Sequence, residues 1–156
     1  MCLLLAHHIF ASKIKLEMSE IILSITEKKV DSLIRLTNEE LPNECCCLLL
    51  GHILDNNEYC VEQVKKMENK AHSKYSFQMD PDELKEVYQW ASNNSLDIVG
   101  VFHSHLDGSV PSSTDLIFMK LNPVIWLIYE VSGSRTRAFT LEQDILKEVT
   151  VKIFRE

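Results

Sequence analysis

The chain has 156 residues, 46% hydrophobic and 25% charged, a balance that suits one globular domain with a real core and excludes an intrinsically disordered chain. The net charge is −7 with no basic block anywhere, which argues against a nucleic-acid-binding function. No apolar run approaches the roughly 20 residues of a membrane span, and the five cysteines, three of them consecutive at Cys45-Cys46-Cys47, form no disulfide framework and fit a reducing, cytoplasmic setting.

Residues 1–17 open with a short apolar stretch, then His7, His8 and Lys13, without the basic region that precedes the apolar part of a signal peptide. They read as an N-terminal extension, either preceding a start at Met18 or forming a loosely attached strand, with 18–156 as a single domain. Ile21–Ile25 is β-branched and reads as a strand. Thr26 opens a helix whose apolar residues Val30, Leu33, Ile34 and Leu36 recur at helical spacing, and Pro42 ends it. Cys45–Leu50 is a dense apolar run closed by Gly51, the pattern of a strand buried on both faces. Its thiols read as small core hydrophobes. Asp55-Asn56-Asn57 is a turn, and Glu58–Lys66 alternates as the returning strand.

The polar stretch Glu68–Ser76 leads to a helix with Asp80 as N-cap, Pro81 at the first position and Glu83 at the capping-box position. Leu84, Val87, Tyr88 and Ala91 form its apolar stripe. Asp97–Phe102 is a further strand, Leu106–Pro111 a loop, and Ser112 opens a helix running to Leu121. Pro123–Val131, Ser134–Leu141 and Glu148–Phe154 read as closing strands, with Ser132-Gly133 as a turn. Trp90 and Trp126 read as packing residues. Phe77 and Met79 are candidates to line a groove for an extended substrate tail.

His103 and His105 end the apolar strand Val99–Phe102 two residues apart, so period-two geometry sends both imidazoles to one face. Asp115 follows in the first turn of a helix. Two His and one carboxylate make a zinc site with an open position for water, the mark of catalytic rather than structural zinc. Each piece also has an ordinary reading. His-x-His is found at strand ends without metal, Ser112-x-x-Asp115 is also a helix cap, and Glu44 alone is an unremarkable loop acid. The conjunction is what carries specificity.

Pro42-Asn43-Glu44-Cys45-Cys46-Cys47-Leu48-Leu49-Leu50-Gly51, followed by His103, His105, Ser112 and Asp115, resembles the JAMM/MPN+ (JAB-domain) zinc metallopeptidase family in a compact, prokaryotic type. The resemblance runs from about Ser19 to Phe154. It implies a cytidine-deaminase-like α/β fold, with a mixed and largely antiparallel sheet flanked by helices. It further implies zinc held by His103, His105 and Asp115, with Glu44 as general acid and base and Ser112 assisting at the water or oxyanion. The implied substrate is an amide bond at the C-terminal tail of a ubiquitin-like or sulfur-carrier protein. Two departures stand out. Leu106 replaces the family's usual Pro, and six residues rather than seven separate His105 from Ser112. A catalytically inactive scaffold and a hydrolase of another small amide are the alternative functions.

Overall fold

Thr26 closes the first strand, β1 (Ile22–Thr26), and also caps the first helix, α1 (Glu27–Glu40): its backbone is extended and its side-chain oxygen accepts from the Lys29 N–H. The computed structural model describes residues 20–155; the expectations for residues 1–17, including His7 and His8, lie outside them. The remaining elements are β2 (Cys46–Ile53), β3 (Glu58–Met67), α2 (Pro81–Asn93), β4 (Asp97–His105), α3 (Ser113–Leu121), β5 (Ile125–Glu130), β6 (Arg135–Glu142) and β7 (Ile145–Phe154). All the expected strands and helices are present, with ends moved by a few residues. β7 in particular starts at Ile145, before the expected Glu148.

The strands follow the order β1-β3-β2-β4-β5-β6-β7, and β7 returns to pair with β1. The sheet is mixed as expected: β1/β3, β1/β7 and β4/β5 are parallel and the other neighbours antiparallel. It is a closed sheet rather than an open one, a difference that arises because β1 pairs in parallel with a strand on either side.

Closure gives β2 two apolar faces to fill. Cys45, Cys47 and Leu49 enter one buried cluster with Phe102, Leu127 and Leu33 of α1. Cys46, Leu48 and Leu50 enter a second with Val87 and Ala91 of α2, Met119 of α3, and Trp126. The three consecutive thiols are thus free, buried packing residues, as their continuous apolar context suggests. Gly51 is required where β2 and β3 shift register, since a Cβ there would lie 1.8 Å from the Cys60 carbonyl oxygen.

Asp80 caps α2 through the N–H groups of Asp82 and Glu83. The reciprocal bond expected of Glu83 is not made; its carboxylate accepts instead from the Glu68 N–H at 3.4 Å. Asp80 satisfies the two helix donors alone, and Glu83 serves the segment arriving from β3. Trp126 is buried, whereas Trp90 is half exposed.

Candidate metal centre and active site

His103 and His105 stand at the C-terminal end of β4 with their Nε2 atoms 2.9 Å apart. Asp115, in the first turn of α3, brings Oδ2 to 3.4 Å from His103 Nε2 and 3.3 Å from His105 Nε2. The three candidate ligand atoms lie within 4.8 Å of one another. Ser112 makes a complete capping box with Asp115: its Oγ accepts from the Asp115 N–H at 3.1 Å, and its own N–H donates to Oδ2 at 2.7 Å. The Ser112 hydroxyl also donates to Oδ2 at 2.7 Å. The two readings of Ser-x-x-Asp therefore coincide, because the capped turn is what aims the carboxylate.

The donor set fits a divalent cation. His105 Nδ1 lies 3.1 Å from the Gly108 carbonyl oxygen. A carbonyl only accepts, so Nδ1 carries the proton and Nε2 presents its lone pair to the centre. Gly108 has φ +81, a left-handed conformation that glycine adopts without cost. Burial keeps the His103 ring neutral by lowering its pKa. For Asp115 burial acts upward, but hydrogen bonds from His103, His105 and Ser112 outweigh it and hold the carboxyl well below the usual range. Among the described residues, the ion-pair partners of this buried carboxylate are the two imidazoles. A buried, ionised carboxylate beside two imidazole nitrogens is a donor set that suits a cation. Burial also acts against protonation of His105, yet the Asp115 hydrogen bond and the charges of Asp115 and Glu44 raise its pKa overall.

Glu44 reaches this centre because β2 runs antiparallel to β4, with Cys46 opposite His103. Beyond that pair, the Ser104 N–H donates to the Cys45 carbonyl at 3.0 Å, and the Cys45 N–H donates to Ser104 Oγ at 2.9 Å. Burial pushes the Glu44 carboxyl up to about 7, with His105 drawing it down and Asp115 pushing it further up. Phe77 and Trp126 pack against His103, their ring centroids 4.9 Å and 5.7 Å from the imidazole. From there a groove of about 690 Å³ runs past Thr114, Phe118, Tyr88 and Met79. Phe77 and Met79 thus line a groove, as the sequence suggests.

Residues 26–142 match the family model for prokaryotic homologs of the JAB domain. The chain belongs to the prokaryotic JAB family. It is 34% identical over 111 residues to the desampylase of Pyrococcus furiosus, covering 70% of this chain and 76% of that protein. The solution structure of a Desulfitobacterium hafniense protein superposes with a TM-score of 0.77 at 26% identity, covering 87% of this chain and 94% of the other. A Salinibacter ruber protein, 22% identical with a TM-score of 0.63, covering 84% of this chain and 90% of the other, shares the fold.

Sequence reasoning overlooked two residues that build this JAB site. Ser104, between the two histidines, faces away from them and ties β4 to the backbone beside Glu44. Asn69 is buried and organises the 68–78 segment. Its Nδ2 donates to the carbonyls of Glu44 at 2.9 Å and Ser76 at 3.1 Å, and its Oδ1 accepts from Ala71 and Gln78. In the sequence Asn69 is one more polar residue in a polar stretch. Only its burial distinguishes it.

Proposed function

We propose that this JAB protein is a zinc-dependent peptidase or isopeptidase that hydrolyses an amide bond at the C-terminal tail of a ubiquitin-like modifier or sulfur-carrier protein, with residues 18–156 as its single catalytic domain. The observation that carries the proposal is the convergence of His103, His105 and Asp115 beside a buried carboxyl, Glu44, poised at about 7. His103, His105 and Asp115 would hold the ion. The chemistry zinc supplies at such a site is Lewis acidity, which acidifies water and polarises a carbonyl. Glu44 takes the proton of the attacking water and returns it to the leaving amine, roles suited to a carboxyl near neutrality. Ser112 directs its hydroxyl proton to the developing oxyanion, in competition with the bond it makes to Asp115 Oδ2. The apolar groove beside His103 offers an extended tail a wall to lie against. Similarity to a desampylase supports the hydrolase assignment.

Elemental analysis of wild type beside His103→Ala tests the metal, and cleavage of a ubiquitin-like fusion beside a small amide tests the substrate. About one zinc per chain, lost in the variant, and preference for the fusion are expected. Absence of zinc after reconstitution would point to a scaffold, and cleavage confined to the small amide to a different hydrolase.

A further inference from the structure

Asn69 is 4% exposed and follows the end of β3, outside the proposed ligands and acid–base group. A side-chain amide has two N–H donors and an oxygen with two lone pairs. At Asn69 all of them are engaged. Nδ2 donates to the carbonyls of Glu44 at 2.9 Å and Ser76 at 3.1 Å, and Oδ1 accepts from the N–H groups of Ala71 at 3.0 Å and Gln78 at 3.1 Å. Two of these bonds bracket Phe77, since the Ser76 carbonyl precedes it and the Gln78 N–H follows it. Phe77 lines the groove and packs on His103 with ring centroids 4.9 Å apart. A third bond reaches Glu44, whose two backbone groups both go to this segment: its carbonyl to Asn69, and its N–H to the Ser73 carbonyl at 2.9 Å. The Ser73 carbonyl is itself 3.5 Å from Asn69 Nδ2.

We infer that Asn69 is a positioning residue that ties Glu44 to the groove wall: one side-chain amide sets both the main chain that carries the Glu44 carboxyl and the main chain that carries the Phe77 ring. Residues 68–78 belong to no helix or strand. Their inward backbone groups therefore lack ladder partners, and Asn69 supplies them. Carboxyl and wall are thus parts of one bonded unit, so a tail lying on the wall meets the acid–base group in a set geometry. The catalytic sense of this tie rests on the function proposed above; the tie itself does not.

Amide hydrogen exchange in metal-free protein reads the tie directly. In wild type the N–H groups of Glu44, Ala71 and Gln78 should open together, with one common free energy. Separate opening energies would overturn the inference without recourse to any variant. Asn69→Ala should speed exchange at the Glu44 N–H by about tenfold or more relative to the Ser104 N–H, which bonds to the Cys45 carbonyl. With zinc restored, the same variant should keep its metal, lose about tenfold or more in kcat on a small amide through Glu44, and show a raised KM for a ubiquitin-like fusion through Phe77. A lower melting temperature with exchange at Glu44, kcat and KM unchanged would make Asn69 a merely structural residue. Asn69→Asp keeps the acceptor for Ala71 and Gln78 but has no donor for Glu44 and Ser76. It should lower kcat while the Gln78 N–H stays protected, and it is the variant to read should Asn69→Ala not fold. A wild type that binds no zinc and cleaves neither substrate, yet whose Glu44 N–H exchange depends on Asn69, would sink the peptidase reading and uphold the tie.

Discussion

Glu44 has an ordinary carboxyl value of 4.5 that burial moves to about 7 in the folded chain. Between those values the folded state binds more protons than the unfolded state, so this group removes stability as pH rises through the window. Glu44→Gln abolishes the ionisation while keeping the shape. The metal-free variant is expected to match wild type near pH 4.5 and to exceed it at pH 8 by on the order of 3 kcal/mol, measured by urea unfolding. With zinc restored, the same variant should keep its metal and lose roughly 10²–10⁴ in turnover. Loss of zinc together with activity would instead make Glu44 a ligand. At this scale the candidate ligands were legible because each pair is fixed by a local period, His103 and His105 by the strand and Ser112 and Asp115 by a helical turn. Asn69 was not, since one polar residue in a polar stretch carries no local sign of the carbonyls and N–H groups that fold around it.

The pairing of β2 with β4 is the element-level device of the site. It converts Glu44, which the sequence places far from the histidines, into their neighbour, and Ser104 locks the join across a separation of 59 residues. Ser104 is buried, so Ser104→Ala leaves the Cys45 N–H without its acceptor and should cost about 1–3 kcal/mol. Since Ser104 faces away from the ligands, zinc content should stay near wild type while turnover falls through displacement of Glu44. Melting curves, zinc analysis and kcat on one preparation check this, and an unchanged kcat would show that Glu44 is held by other means, with Asn69 the first to examine. The strands and helices themselves were legible, because β2 is continuously apolar from Cys46 to Leu50 and α1 and α2 are apolar on one stripe. Their ends were less so. The sequence offers no local reason for β7 to begin at Ile145; pairing with β6 extends it there.

For the molecule as a whole, closure of the sheet places α2 and α3 over one buried cluster and α1 against the other, and the groove opens beside the first. Phe118 of α3 lines that groove and is 41% exposed, so truncating it should disturb the core little. Aromatic side chains of this kind dominate binding energy at interfaces. Phe118→Ala is therefore expected to raise KM for a ubiquitin-like fusion by about tenfold with kcat nearly unchanged, the pattern of lost uniform binding, and to leave cleavage of a small amide unaffected. Equal KM values for the fusion would remove this groove from substrate recognition. No helix among the described residues is long and apolar enough to cross a membrane.

By itself the sequence determined the α/β character, the succession of elements, the packing role of Cys45, Cys46 and Cys47 and the residues that resemble the family's metal site. These depend on side-chain periods and caps that act within a few residues. The tertiary structure alone decided that the sheet closes, that Glu44 is buried beside His105 and Asp115, that Asn69 and Ser104 bond the backbone on either side of the Glu44–Cys45 step, and that a groove opens beside the rings packed on His103. Each of these arises from strand pairing or burial between distant segments, where the environment of a group, not its identity, sets its chemistry.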